Sequence, residues 1–350
     1  MPPSEYRTPK PEAFRGFVEG VHNLQDYLRS NNGDRLSTAE EFLNQSLAAD
    51  PDFAPAQYYQ AIVLTHARKP DAAIRLLEPL SQRSEPYRAE ILYNLAFAYA
   101  KKYKYDLFKK SIEILGEAHS SAERQQRTDI ALLVQAMQAW TFAVFAGRDY
   151  KHPEDLEQRQ RMFLPKAVET ATSVLADSRL PSIPADSRLA VEVESHNAAG
   201  IAYMRMGQYS VLFEKSSEEY WDLAQSHYDS ALAKHPRDVR VLDNISTLKL
   251  IQGCDSVAGN QDESAREFFE RAKGTAQLAI AYNPHDRFRH YNRARACALL
   301  GQWDEAMSVA DEILKQPGEV SEQQVGGLKD AIRTRDISSI AELLRTRRRP

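Results

Sequence analysis

From Pro11 to Leu28 the apolar residues Phe14, Phe17, Val21, Leu24 and Leu28 recur every three or four positions, the spacing of one helix face. The same period returns at Ala54 to Ala67 and Asp71 to Leu80, with Ala61, Leu64, Ala73 and Leu77 inward. It returns again through Leu95-Ala96-Phe97-Ala98-Tyr99 and then Phe108, Ile112 and Leu115. Its most regular form lies at Arg287 to Leu314, two short amphipathic helices around a Gly-Gln-Trp-Asp turn. Small residues there, Ala294, Ala306 and Ala310, mark where two helices approach closely. A pair of this size cannot bury its apolar face alone and must stack on others like itself. The whole pattern predicts an all-α chain of about sixteen helices in eight antiparallel pairs, each repeat supplying one pair.

Fixed spacings support a repeat. Ala39 to Pro51, Ala224 to Pro236 and Ala272 to Pro284 are each twelve residues apart, and Ala306 to Pro317 eleven. Ala199-Gly200-x2-Tyr203 with Gly207 precedes the second of these. On these residues the chain resembles the tetratricopeptide repeat family, whose pattern is W-x2-L-G-x2-Y, then A-x3-F, then P, on a period of about 34 residues. The tryptophan position is never Trp here, Arg293 stands where Leu is usual, and Lys249 where Tyr is usual. The resemblance implies an α-solenoid with repeats over 11–120 and 191–317, a flexible N-terminus over 1–10, and a diverged pair or hinge over 121–190. Capping helices and a basic tail are expected over 318–350, the former reading as Val320 to Arg333 and Ile337 to Arg347. In the diverged part a helix from Asp155 to Ala176 is expected to be interrupted by Pro165, before a Pro181 to Pro184 turn.

In that family the first helices of the pairs line the concave surface, so aligning them yields rows of groove residues. One row is Tyr58, Tyr93, Asn197, Asp243 and Tyr291; the next is Ile62, Phe97, Ile201, Thr247 and Arg295; a third is His66, Lys101, Arg205, Ile251 and Leu299. Aromatics beside cations suit an extended peptide or a partner helix, offering flat apolar area, phenolic hydrogen bonds and a carboxylate partner. Tyr58, Tyr93, Phe97, Lys101, Asn197, Arg205, Tyr291 and Arg295 are therefore the candidate partner-binding residues. Asn94, Asn244 and Asn292 share one helix position, but the basic residues of the family's carboxylate-clamping subset do not accompany them in order.

The period is too long in places: Gly200 to Ser246 spans 46 residues and Ser246 to Ala294 spans 48, against 35 for Ala61 to Ala96. Ser-x-x-Glu motifs at Ser37/Glu40, Ser216/Glu219 and Ser264/Glu267 read as capping boxes that open second helices. With the first helices ending at Gly207 and Gly253, the excess is expected in loops Ser210 to Lys215 and Asp255 to Glu263, a second partner surface along one edge.

Composition narrows the functional classes. Of 350 residues 27% are charged and 14 are glycine, the formal net charge is -4, and neither a nucleic acid nor a membrane surface is the expected partner. Ile130 to Gly147 is uncharged for eighteen residues, but Gln135, Gln138 and Thr141 lay a polar stripe along it, so a buried helix is expected rather than a span. The N-terminal stretch lacks an apolar signal-like core, and a cytoplasmic protein is expected. Cys254 and Cys297 make no disulfide framework, and His285 and His290 are not spaced as metal ligands. No phosphate-binding glycine loop, metal-protease motif or nucleophile elbow is present, so no cofactor is expected. The tail arginines read as a solvated helix end, whereas Arg287, Arg289, His290, Arg293 and Arg295 form an acid-free cluster from which at least one arginine is expected to face the groove. The expected function is a non-enzymatic interaction module for a protein or peptide partner, a scaffold or adaptor. The alternatives are a peptide-sensing regulator whose solenoid changes pitch, and an enzyme whose site lacks a known motif.

Overall fold

A computed structural model describes residues 8, 10–30, 32–83, 87–102, 104–146, 156–316 and 320–345. Most of the 1–10 stretch, Gly147, Pro317 and the tail arginines beyond 345 lie outside the described residues. Among the described residues there are sixteen α-helices and no strand: α1 Pro11–Ser30, α2 Gly33–Ala49, α3 Ala54–His66, α4 Pro70–Arg83, α5 Arg88–Ala100, α6 Tyr105–Arg124, α7 Thr128–Ala146, α8 Leu156–Leu175, α9 Ala185–Gln208, α10 Ser217–Lys234, α11 Val239–Ala258, α12 Asp262–Tyr282, α13 Arg287–Leu299, α14 Trp303–Ile313, α15 Glu322–Thr334 and α16 Ile337–Arg345. Consecutive helices pack as hairpins, α1 on α2, α3 on α4, α5 on α6, α11 on α12 and α13 on α14, and each hairpin packs on the next along its unit. The chain forms two compact units, residues 1–145 with 165–199, and residues 146–164 with 200–350.

Proline sets the ends of several second helices. α2, α10 and α12 each stop two residues before Pro51, Pro236 and Pro284, and the intervening residues Asp50, His235 and Asn283 have left the helical region, with φ of -141°, -135° and -151°. A proline ring crowds the residue before it out of the helical region, so the stop is steric. Two residues after Pro236 and Pro284 an aspartate starts the next helix: Asp238 accepts from the Arg240 and Val241 amides, and Asp286 from the Phe288 amide. A Pro-x-Asp triplet thus both ends one helix and caps the next.

Three buried serines clasp the neighbouring helix within its hairpin. Ser46 Oγ donates to the Ala13 carbonyl at 2.7 Å, Ser111 Oγ to Ala96 at 2.8 Å, and Ser246 Oγ to Ala272 at 3.0 Å. Such bonds require the backbones to lie close, and small residues allow it: Ala13, Ala61, Ala96, Ala272, Ala294, Ala306 and Ala310 are all buried. In the second unit the approach is tightest at glycine. A Cβ on Gly207 would run into the Trp221 ring, one on Gly253 into Phe269, and one on Gly200 into Tyr228.

Several expected boundaries move. Ser37 and Ser264 do not cap: α2 begins at Gly33 under an Asn32 side chain that accepts from the Asp34 amide, and α12 begins at Asp262. Ser37 instead donates back to the Gly33 carbonyl inside the helix. The Ser216 box is formed as read, with Ser216 and Glu219 exchanging bonds. α9 ends at Gln208, one residue past Gly207, whereas Gly253 does not end a helix and lies inside α11. Pro165 does not interrupt α8; it loses one amide donor while the rest of the ladder continues. Phe14 and Leu28 sit at the edge of their face and stay 37% and 49% exposed.

The long periods come partly from longer helices rather than loops. α11 and α12 have 20 and 21 residues where α3 and α4 have 13 and 14. Asp255 to Ala258 belong to α11, and only a tight turn follows, in which left-handed Asn260, φ 58°, lets the Gln261 amide bond back to the Ser256 carbonyl. The Ser210 to Lys215 segment is a true connection with a short 3-10 turn at Ser210–Leu212. An edge ridge of two loops is therefore not formed as expected. α7 is long and apolar enough to cross a bilayer, and 67% of its apolar window is buried, with Thr141 bonded to its own helix at the Met137 carbonyl.

Alanine at Gly207 or Gly253 improves local helix propensity, yet the added methyl meets an aromatic ring. Each substitution is expected to lower stability by about 1 to 3 kcal/mol, and chemical denaturation will show it; wild-type stability in both would mean these hairpins are not held at the glycine contact.

Candidate functional site

In the first unit four successive first helices each contribute one ring to a continuous strip. Tyr27 of α1 lies 5.5 Å from His66 of α3, His66 6.0 Å from Phe97 of α5, and Phe97 6.0 Å from Trp140 of α7, centroid to centroid. Lys101 closes the strip, its ammonium 5.1 Å from the Phe97 ring and 5.5 Å from Trp140. Tyr27, His66, Phe97 and Lys101 are half-buried, so one face of the strip meets solvent. Edge contacts between rings and a cation over two ring faces hold these side chains in place. Beside them Asn94 donates to the Tyr58 hydroxyl at 2.9 Å, and Tyr93 is half-buried. An ordered apolar strip ending in a positive charge can receive a peptide's side chains and pair with an acidic group.

Of the candidate residues, Phe97 and Lys101 lie on this strip, and Tyr58 and Tyr93 share its helices. Tyr58 is more buried than the groove reading requires, serving as acceptor for Asn94 and as edge partner of Tyr59 at 5.2 Å. Tyr27 and Trp140 were not legible as strip residues, because the aligned rows begin with the helix of Tyr58, one pair after Tyr27, and Trp140 sits in the uncharged helix. Spacings of 39, 31 and 43 residues between the four rings carry no period.

The other four candidates are off the open surface. Asn197 is buried in α9, and Arg205, also buried, donates to Gln208 at 2.6 Å. In the second unit Tyr291 is buried and stacks with the guanidinium of Arg295, 4.6 Å from the ring centroid. These positions support packing in the structure as described, so alanine there removes core contacts as well as any binding surface.

The basic cluster on α13 divides among its neighbours. Arg287 reaches the carbonyls of Gln316 at 2.6 Å and Leu314 at 3.4 Å, beyond the end of α14. Arg289 pairs with Asp243 of α11 at 3.2 Å, and Arg293 with Glu305 of α14 at 2.9 Å. Glu305 also takes Lys273 of α12 at 2.7 Å, and these two bonds hold its carboxyl below the usual range. His290 contacts the Pro284 carbonyl. One short helix is thus tied by ion pairs to α11 and α14, and Lys273 of α12 joins the second of these through Glu305.

Other reactive types are placed structurally. Among the described residues no three His, Cys, Asp or Glu side chains gather as a metal group. Cys297 is buried, which, with Glu305 nearby, pushes its thiol up to about 11, away from the reactive thiolate. Lys249 donates to Gln252 at 2.8 Å and lies 5.4 Å from the Phe268 ring. Burial, then the like charge of Arg271, brings its ammonium down to about 8. It is only 4% exposed, leaving no open face for a substrate.

No protein-family model and no curated protein matches this sequence. Among solved structures the chain is similar to the "TPR2AB-domain:pHSP90-complex of yeast Sti1", at 16% identity over 85% of this chain and 100% of that chain, with a TM-score of 0.25. At that score the superposition bears no weight for binding.

Lys249 yields a pH prediction. Its folded pKa of about 8 lies below the unfolded lysine value of about 10.4. Between those values the unfolded chain carries a proton that the folded chain lacks, so this group makes stability rise with pH. Relative to Lys249→Met, wild-type unfolding free energy is expected to gain on the order of 2 kcal/mol from pH 8 to 10. Parallel curves for the two proteins would show the lysine to be charged in the fold.

Proposed function

We propose that this chain is a non-enzymatic interaction module of the tetratricopeptide type that holds an extended peptide segment of a protein partner against the first unit. The observation that supports the reading is the half-open strip Tyr27, His66, Phe97 and Trp140 with Lys101 at its end. Rings fixed by one another present flat area at little entropic cost on binding, and the half-exposed ammonium selects a segment with an acidic side chain or chain end. Tyr93 and Tyr58 extend the apolar area on the same helices. Repeated helix hairpins with alanine, glycine and serine at their crossings, the Ala-to-Pro spacing and the side-by-side first helices α1, α3 and α5 support the repeat type. A scaffold or adaptor role accords with such a strip on a stack of helix hairpins, and a cytoplasmic setting with two buried cysteines outside any disulfide.

Charge reversal separates binding from folding here, because Lys101 makes its strip contacts at the half-exposed rim. Lys101→Glu and Tyr93→Ala are each expected to reduce partner capture from host extract, quantified by mass spectrometry, by about tenfold or more, equivalent to about 1.4 kcal/mol. Melting temperatures should shift by only a few degrees, consistent with a loss of about 1 kcal/mol. Undiminished capture by both variants would remove the strip as the binding surface.

A further inference from the structure

The second unit carries a face that its own last helix already covers. The principal neighbours of α16 are α15, α13 and α11, the first helices of their pairs, and Ile340 is fully buried in the core they share. Along those helices Thr247, Ile251, Tyr291, Arg295 and Leu299 are buried. Their register equivalents in the first unit, Ile62, His66, Tyr93, Phe97 and Lys101, are half-buried. Nine residues form a helix too short to persist by itself in water, so α16 stays helical through this seating. A two-residue turn joins it to α15, with Arg335 left-handed at φ 53° and Asp336 accepting from the Ser339 amide.

Arg295 in that face lacks a counter-charge. It is 4% exposed, its Nη2 donates to Asn292 Oδ1 at 2.5 Å, and its Nε has no partner. Among the described residues no carboxylate pairs with it, and burial without an acid lowers its pKa. Asn292 in turn donates to Thr247 of α11 at 3.2 Å, so the guanidinium is oriented from two helices. A buried cation with only neutral partners is costly to the fold. Met or Leu would fill the same volume without that cost. A guanidinium makes up the cost when a partner brings a carboxylate, to which it can donate two parallel bonds. The described turn of α16, Ile337 to Ala341, brings none.

We infer that the α11 and α13 face of the second unit is a docking surface for an amphipathic partner helix carrying a carboxylate opposite Arg295, and that α16 is its resident occupant, displaced on binding. The inference rests on the interaction-module reading and adds a second site with its own ligand chemistry. α16 shows that the face accepts a helix, and Arg295 supplies what α16 leaves unmet.

The test uses the full chain and a labelled peptide copying residues 336–345 with Asp336→Asn and Glu342→Gln, together with a series of copies each bearing one glutamate at successive positions. Ile340→Asp unseats α16, while Ile337→Asp, at a 42% exposed position, leaves it seated. The Ile340→Asp chain is expected to bind at least one acidic copy about tenfold tighter than the neutral copy, the scale of one charge-assisted bond. Adding Arg295→Met should abolish that difference. Equal affinities across the series, or no binding to the unseated chain, would overturn the inference. Should Ile340→Asp unfold the unit, hydrogen exchange on the wild-type chain decides: saturating acidic peptide should speed exchange in α16 and slow it in α13, and an unchanged pattern overturns the inference equally. Loss of capture by Lys101→Glu alongside a flat peptide series would sink only this second site; the reverse outcome would sink only the strip of the first unit.

Discussion

The hairpins depend on close approach of two helix backbones, which in three of them lets a side-chain hydroxyl on one helix reach a main-chain carbonyl on the other. Ser46, Ser111 and Ser246 make that bond from fully buried positions, and a larger residue opposite would break it. Close approach sets the depth of the stack, because helices that touch through alanine and glycine leave their larger side chains to pack against the next hairpin. The aromatic strip of the first unit is one result. Rings from four first helices reach each other only if those helices lie side by side at short spacing.

The sequence showed the fold through its period and its punctuation. Alanine twelve residues before proline marked the second helices, and the steric rule at proline makes that mark reliable. Helix starts were less legible, since Ser-x-x-Glu at Ser37 and Ser264 has the composition of a cap but lies within a helix that an earlier residue had begun. Asp238 and Asp286, each two residues after a proline, carried the better signal. Extra length in α11 and α12 could not be told from loop growth by period alone, because both add the same number of residues; the continued apolar spacing through Cys254 was the distinguishing feature.

The binding surface was legible where it kept register and hidden where it did not. Phe97 and Lys101 followed from aligned first helices, whereas Tyr27 and Trp140 join them only through packing between segments of unequal length. Burial was the larger divergence. Register identifies which side of a helix a residue occupies, but not what covers that side, and Tyr291 and Arg295 lie under cover. The arginines of α13 illustrate a related limit: a run of cations without acids in sequence found acids and carbonyls on α11, α14 and the segment after α14, all distant along the chain. Among the buried arginines of α13, Arg295 has neutral partners where Arg289 has Asp243.

The way the chain threads its two units bears on how it is made. Residues 1–145 need 165–199 to complete their unit, and residues 146–164 belong with 200–350. During synthesis the two stretches grouped into the first unit therefore leave the ribosome on either side of a segment grouped with the second. Neither unit corresponds to a contiguous stretch, so a truncation placed after residue 145, 164 or 199 divides a group of residues that contact one another.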